Sequence, residues 1–197
     1  MAETLFLRLS VGDLPVSWLL VDALGNRIGR VQRGALEDAA AQAHGRRVRV
    51  LVPGAMVSLL HAGIPTRNLQ KVLQAVPFAL EDRLAEDIET LHFALGDRDE
   101  GGYTVAVLRR TYLTQWLAQL ATAGISADEI IPDMLALPTI EATLNLAIDA
   151  EEVLVSFPDG TAFSTETSLA PLLIERHLKN FRSSGHCDKA IIQAVEG

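Results

Sequence analysis

The order of strand-like and helix-like segments constrains this chain more than any other feature, because the same order occurs twice. Near the start, three short segments rich in branched and aromatic residues are separated by turn-forming pairs at Gly12-Asp13 and Gly25-Asn26. An alanine-rich helix follows, ends at Gly45, and leads into a further strand. The predicted order is β-β-β-α-β, with strands at 5–9, 16–21, 27–32 and 47–52 and the helix at 35–44.

The second occurrence lies near the end of the chain. Ser168 is a typical N-cap residue, and it begins a helix that continues to about residue 180. A lobe of this kind normally continues with elements that cover its sheet, so we expect the second lobe to be incomplete in this chain. The predicted strands are 143–148, 153–157, 161–164 and a buried run KAIIQAV from Lys189, and the predicted apolar helix face contains Leu169, Leu172, Leu173 and His177.

A different unit separates the two occurrences. Its predicted order is β-α-β-β-α, with strands at 56–62, 91–95 and 103–108 and helices at 66–87 and 111–123. We therefore expect a mixed α/β protein whose first lobe carries an α+β insertion. The predicted domains are a first lobe at 1–53 and 125–140, an inserted subdomain at 54–124, and a second, incomplete lobe at 141–197.

Two tandem β-β-β-α-β lobes resemble the actin-like, or RNase H-like, nucleotide-binding superfamily. In that superfamily the turn after the first strand of each lobe holds phosphates, which requires glycines and backbone N–H donors. Here the first turn has Asp13 and Pro15, and the proline lacks a donor. The second turn has no glycine and contains Asp149, Glu151 and Glu152, which repel a triphosphate. ATP binding is therefore the less favoured of two hypotheses.

Neither composition nor motifs indicate another chemistry. A net charge of −8 argues against a nucleic-acid-binding protein. The five histidines have no paired metal-ligand spacing, and the sequence His186-Cys187-Asp188 is interpreted as a loop. With Cys187 as its single cysteine, the chain has no internal disulfide. We predict no catalytic residue, no metal ligand and no cofactor.

Acidic residues are dense after the proline of the predicted helix at 66–87. An apolar stripe continues past Pro77, so the helix is either kinked there or ends and restarts. On the opposite side we expect a solvated helix face that is a candidate contact surface for a partner; a catalytic carboxylate would need a cleft instead. The stripe contains Leu69, Leu73, Val76, Leu80 and Leu84, and the candidate partner-binding acids are Glu81, Asp82, Glu86, Asp87 and Glu89.

Basic residues are concentrated in the first lobe. Arg47 and Arg49 alternate with Val48 and Val50, so we expect them on the exposed face of a strand. Either they belong to a solvated sheet edge, or the group contacts an anionic lipid or an acidic partner. The full group is Arg27, Arg30, Arg33, Arg46, Arg47 and Arg49.

Three motifs resemble one family, the cytoplasmic domain of type II secretion system protein L (general secretion pathway protein L). They are LVPG at 51–54, ALEDRLAEDIETLHFALG at 79–96 and IIPDMLALP at 130–138. The resemblance extends over most of the chain, and the second motif is the most specific. The insertion is also similar to that of type IV pilus protein M and of the cell-division actin homologue A.

The resemblance implies a scaffold that is not an enzyme. A protein of this family is attached to the inner membrane of bacteria by one transmembrane helix, which we expect beyond residue 197. Its implied partners are the N-terminal domain of the secretion ATPase, protein E, and the membrane platform proteins M and F, and a homodimer is considered as well. The alternative hypothesis is a nucleotide-binding, actin-like protein related to pilus protein M.

Overall fold

A computed structural model describes residues 3–12, 14–99, 101–149, 151–181 and 189–194. The chain divides into two compact units, the first formed by Met1–Ala55 with Leu120–Gly197 and the second by Met56–Gln119. In chain order the elements are β1 (Thr4–Arg8), β2 (Val16–Val21), β3 (Arg27–Gly34), α1 (Leu36–Ala43), β4 (Arg47–Val52), β5 (Ser58–Ala62), α2 (Leu69–Leu80), β6 (Leu91–Arg98), β7 (Tyr103–Arg109), α3 (Arg110–Thr122), β8 (Glu129–Pro132), β9 (Thr143–Ile148), β10 (Glu152–Ser156), β11 (Ala162–Glu166), α4 (Ala170–Phe181) and β12 (Lys189–Ala194).

The first sheet of the first unit has the strand order β3-β2-β1-β4-β8. Strand β1 pairs antiparallel with β2 and parallel with β4. Successive side chains of a strand point to opposite faces, and here Leu5 and Leu7 are buried while Phe6 and Arg8 are partly exposed. Strand β4 alternates in the same way. Because it lies inside the sheet, the prediction that its arginines belong to a solvated sheet edge is wrong.

The second sheet of this unit has the order β11-β10-β9-β12 and a core built around the fully buried Phe157. Helix α4 packs Ala170, Ile174 and Leu178 against that core. The predicted helix face is therefore wrong in part, because Leu169 and Leu172 are exposed. Strand β12 is also not buried as predicted. It is an edge strand, and the exposed fraction of Ile192 is 63%.

The second unit contains a three-stranded antiparallel sheet, β5-β7-β6, with α2 packed against it. Pro77 lies inside a continuous α2, so the helix does not restart there. Residues Val72, Val76 and Leu80, spaced four apart, face the core, whereas Leu69 and Leu73 are exposed. The buried face of the helix thus lies part of a helical turn away from the predicted apolar stripe. In helix α3, Trp116 and Leu120 are buried and Leu117 is exposed.

Helix α2 ends at Leu80, seven residues before the predicted end. A 3₁₀ turn at Glu81–Arg83 follows, and a second one at Ile88–Thr90 leads into β6. Between the turns the chain is extended at Leu84, whose side chain packs against the core of the second unit. The acidic residues from Glu81 to Glu89 are therefore exposed, as predicted, but they lie on two short turns and not on a helix face.

Candidate functional site

A network of charged side chains occupies the end of β1 in the first unit, where the first phosphate-binding turn of the superfamily begins. Arg8 is the last residue of β1, and its Nε donates a hydrogen bond to Oδ2 of Asp133 at 2.9 Å. Its Nη2 donates to Oε2 of Glu152, the first residue of β10, at 2.8 Å. The two sheets of the unit are thereby joined through one guanidinium.

Asp133 is the most deeply buried carboxylate among the described residues of this network, with an exposed fraction of 1%. Its Oδ1 also accepts a hydrogen bond from the backbone N–H of Gly54 at 2.9 Å. Burial raises the pKa of Asp133 above its ordinary value, although the charge of Arg8 and both hydrogen bonds oppose that rise. Burial likewise disfavours the Arg8 cation, but the charge of Asp133, assisted by Glu152, outweighs it and raises the pKa of Arg8.

The network does not suit a nucleotide. The donors of Arg8 already bond to Asp133 and Glu152. The carboxylate of Asp149 in the second turn lies 3.9 Å from Nη1 of the same guanidinium. A neighbouring cleft of about 430 Å³ has four acids in its lining, Asp149, Glu151, Glu152 and Glu166, and their charges oppose the entry of a phosphate. Asp13 of the first turn lies outside the described residues.

In the part of the chain that the structure describes, no group of three or more histidine, cysteine, aspartate or glutamate side chains is placed to hold a metal ion. His61 instead lies 3.1 Å from Asp99, and His177 lies 3.2 Å from Asp159. The sequence His186-Cys187-Asp188 lies outside the described residues.

Gly54, the last residue of the LVPG motif, has no space for a side chain. An added Cβ would lie 2.5 Å from Sδ of Met134, 2.7 Å from Oδ1 of Asp133 and 3.0 Å from Cβ of Ser164. We expect Gly54→Ala to lower the free energy of unfolding by about 2 kcal/mol, the typical cost of overpacking, because Asp133 and Met134 must move together. Chemical denaturation measures this change.

Gly63 supplies the matched control. An added Cβ there would have its nearest neighbour, the carbonyl oxygen of Gly101, at 3.7 Å, which is an ordinary contact. We expect Gly63→Ala to change the free energy of unfolding by less than about 1 kcal/mol. Equal effects of the two substitutions would contradict the role given to Gly54.

The raised pKa of Asp133 predicts a dependence of stability on pH. As the pH rises, the unfolded chain loses this proton first, so the contribution of the group to stability falls between about pH 4, the ordinary value, and the raised pKa. The Asp133→Asn variant lacks this titration. We expect its stability, relative to that of the original protein, to increase over this interval and then stay constant. Denaturation at several pH values from about 4 to about 7 measures the difference, and a relative stability that decreases would contradict the prediction.

The acidic segment of the second unit, defined as residues 81–89, contains two kinds of carboxylate. Glu86 accepts a hydrogen bond from Nε of Arg109 at 2.6 Å. Asp87 caps the second 3₁₀ turn by accepting the backbone N–H of Glu89 at 2.9 Å. These two acids stabilise the local fold of the segment, which sequence periodicity did not predict.

The other carboxylates of the acidic segment are exposed. The side chains of Glu81, Asp82 and Glu89 form no hydrogen bond or ion pair with any described residue. The structure thus reduces the five candidate partner-binding acids to three that are free to contact another molecule. None of the five lines the cleft beside Arg8, and catalysis would require a cleft.

Some of the basic residues of the first lobe also form ion pairs within the protein. Arg46 pairs with Glu3 at 2.7 Å, and Arg47 and Arg49 both pair with Glu129. The ion pairs of these three arginines lie within the first unit, so their charges are balanced locally. Arg27, Arg30 and Arg33 have no such partner among the described residues.

Sequence reasoning missed Arg8, Asp133 and the role of Gly54. Gly54 and Asp133 both lie in motifs that carried the family resemblance, but they are 79 residues apart. Nothing in their local sequence indicates that they meet. Asp133 directly follows β8, which runs parallel to β4, as β1 does. The ends of parallel strands lie at the same side of a sheet, and this is the signal that could have placed Asp133 beside the end of β1.

Comparisons with known proteins agree on one family. The model for "Type II secretion system (T2SS), protein L" matches residues 5–194. Type II secretion system protein L of Pectobacterium carotovorum subsp. carotovorum is 32% identical over 169 residues, covering 83% of this chain and 40% of that protein. The protein of the same name from Dickeya chrysanthemi is 34% identical over 144 residues, covering 71% and 36%. The chain matches well under half the length of these relatives.

Solved structures confirm the predicted actin-like fold. The cytoplasmic domain of EpsL, described as an inner membrane component of the type II secretion system of Vibrio cholerae, matches with a TM-score of 0.82 at 24% identity, over 99% of this chain and 84% of that chain. A chain of the PilM-PilN type IV pilus biogenesis complex matches with a TM-score of 0.66 at 16% identity, over 97% and 81%. Among the described residues, no helix is long and apolar enough to cross a membrane.

Proposed function

The chain belongs to the type II secretion system protein L family, and on that premise we propose that it is a scaffold on the cytoplasmic side of the bacterial inner membrane. In this role it binds the N-terminal region of the secretion ATPase, protein E, and couples it to the membrane platform that includes proteins M and F. The description of the EpsL domain as part of an inner membrane component supports this location. We propose as well that the whole protein is attached to this membrane.

The observation that carries the scaffold role is the network around Arg8. At the position where the superfamily binds phosphates, this chain has a guanidinium that is bonded to Asp133 and Glu152. A triphosphate would have to displace these carboxylates and also approach Asp149 and Glu151 in the second turn. A protein that only docks its partners needs no nucleotide, so the network favours binding over catalysis.

The acidic segment supplies a contact surface for this role. Glu81, Asp82 and Glu89 are exposed and free, and the hydrogen bonds of Glu86 and Asp87 hold the segment in one conformation. Preorganised charges of this kind mainly increase the rate and specificity of association. We therefore propose that the segment faces a basic surface of the ATPase N-terminal region.

A calorimetric titration with the isolated N-terminal domain of the ATPase tests the proposal. We expect saturable binding with one ATPase domain for each chain, weakened by added salt because screening reduces attraction between exposed charges. The titration includes a longer version of the protein, since the relatives are longer than this chain. Absence of binding with both versions, each shown to be folded, would contradict the proposed function. Sedimentation of each protein alone measures whether a homodimer forms.

A thermal shift experiment separates this proposal from the nucleotide hypothesis. A ligand that binds only the folded state raises the unfolding temperature by an amount that grows with the logarithm of its concentration above its Kd. We expect millimolar MgATP to leave the unfolding temperature unchanged, because the acids that line the neighbouring cleft oppose the entry of a phosphate. An increase with MgATP that grows with its concentration and is absent in an Asp13→Ala variant would instead favour the nucleotide-binding alternative.

A further inference from the structure

An open groove crosses the first sheet of the first unit, on the face opposite its buried side. The groove has a volume of about 730 Å³ and is separate from the acidic segment of the second unit. It is lined by side chains of β1 to β4, by residues that follow β8, and by Leu154 of β10, and Arg8 and Asp133 of the network described above lie at its margin. Its apolar lining includes Phe6, Leu19, Val31, Leu51, Leu137 and Leu154.

The apolar lining of this groove remains partly in water. Phe6, Leu19 and Leu51 are half-buried, and Val31 has an exposed fraction of 49%. A sheet normally covers its apolar faces with another layer, because each Å² removed from water contributes about 25 cal/mol. A helix laid along this face would bury those side chains.

Three arginines of β3 line the same groove and form no ion pair with any described residue. Arg27, Arg30 and Arg33 are exposed, and no described carboxylate lies within ion-pair distance of any of them. They contrast with Arg46, Arg47 and Arg49, which the protein neutralises with its own acids. In a chain whose net charge is −8, three free arginines beside one apolar groove form a local surface of opposite sign.

We propose that this groove binds an amphipathic helix of another protein, one with carboxylates beside its apolar stripe. The apolar stripe fills the space over Phe6, Leu19 and Leu51, and the flanking carboxylates pair with the three arginines. Arginine and aromatic residues dominate the binding energy of protein interfaces, and this groove provides both. Because the free charges of the acidic segment have the opposite sign, the groove takes a different segment from the one that the acidic segment contacts.

A membrane surface is the other source of negative charge, and the shape of the groove disfavours it. Insertion into a bilayer requires apolar side chains that protrude beyond the charged ones. Phe6, Leu19 and Leu51 instead line a concave groove and are half-buried there. A projecting helix of a protein can reach them, whereas a flat membrane surface cannot.

A display library of amphipathic helices, with a fixed apolar stripe and randomised flanking positions, identifies what the groove binds. The full chain is the bait. We expect the selected helices to be enriched in Asp and Glu beside the stripe, and to bind at least tenfold more weakly to the variant with Arg27→Gln, Arg30→Gln and Arg33→Gln. A Val31→Asp variant, altered at an exposed apolar position, should reject the same helices.

A control variant and a lipid experiment distinguish the outcomes. The control removes three exposed cations elsewhere, through Arg67→Gln, Lys71→Gln and Arg176→Gln, and we expect it to bind the selected helices normally. Selection without acidic enrichment, or equal binding by the groove and control variants, would overturn the proposal. So would arginine-dependent binding to phosphatidylglycerol vesicles without any helix selection, because the groove would then be a lipid-binding surface.

Discussion

Replacement of Arg8 by methionine is expected to lower the free energy of unfolding by about 3 kcal/mol, the lower end of the cost of breaking a buried ion pair. Methionine retains much of the apolar stem but removes the guanidinium that neutralises Asp133 and Glu152. Asp133 would keep the Gly54 N–H as its remaining bond and would stay buried with an uncompensated charge. Urea denaturation at neutral pH measures the loss.

Two further variants test the reason for that loss. Adding Asp133→Asn to Arg8→Met removes the uncompensated charge, so the double variant should be more stable than Arg8→Met alone. Arg47→Met breaks the exposed ion pair with Glu129 on the same sheet, and it should cost less than about 1 kcal/mol. If the double variant is no more stable than Arg8→Met, burial of the Asp133 charge is not what makes the substitution costly.

Reversal of the three free acids of the acidic segment is expected to weaken binding of the ATPase N-terminal domain by about tenfold or more. Glu81→Lys, Asp82→Lys and Glu89→Lys together remove three attractions and add three repulsions. At roughly 0.5–1 kcal/mol for each exposed charge, the sum exceeds 1.4 kcal/mol, the free energy that corresponds to a tenfold change. The measurement is the same calorimetric titration used for the unaltered chain.

The matched control reverses three exposed acids outside the segment, through Glu37→Lys, Asp97→Lys and Glu141→Lys. It changes the net charge by the same amount, so a general electrostatic effect would weaken binding equally in both variants. Glu86 and Asp87 are left intact because their hydrogen bonds hold the segment in place. Unchanged affinity in the folded triple variant would show that the acidic segment is only a solvated surface.

The repeated β-β-β-α-β order was predictable because strands, turns and helices leave local signals in the sequence. Alternation in β4 and the turns at Gly12 and Gly25 indicate short strands without reference to the rest of the fold. The same local signals failed at the end of α2, because helical spacing of the acids continues past the residue at which the helix ends. Packing of Leu84 against the core and the Asp87 cap decide that end, and both depend on tertiary structure.

The candidate sites also depend on tertiary contacts that local sequence signals do not show. Exposure of the acidic segment follows from its composition, but the distinction between structural and free acids depends on Arg109, which is 23 residues away from Glu86. The network around Arg8 joins residues separated by 125 and 144 positions. Pairings over such distances leave no periodic signal in a single sequence, so this network was not predicted.

The Arg8 network also has a mechanical consequence. One guanidinium holds the first strand of one sheet to Asp133 and to the first strand-forming residue of β10 in the other sheet. A cleft closed by a small ligand opens when that ligand leaves, whereas the Arg8 network joins the two sheets through the protein's own side chains. The connection between the sheets therefore does not depend on the presence of a ligand.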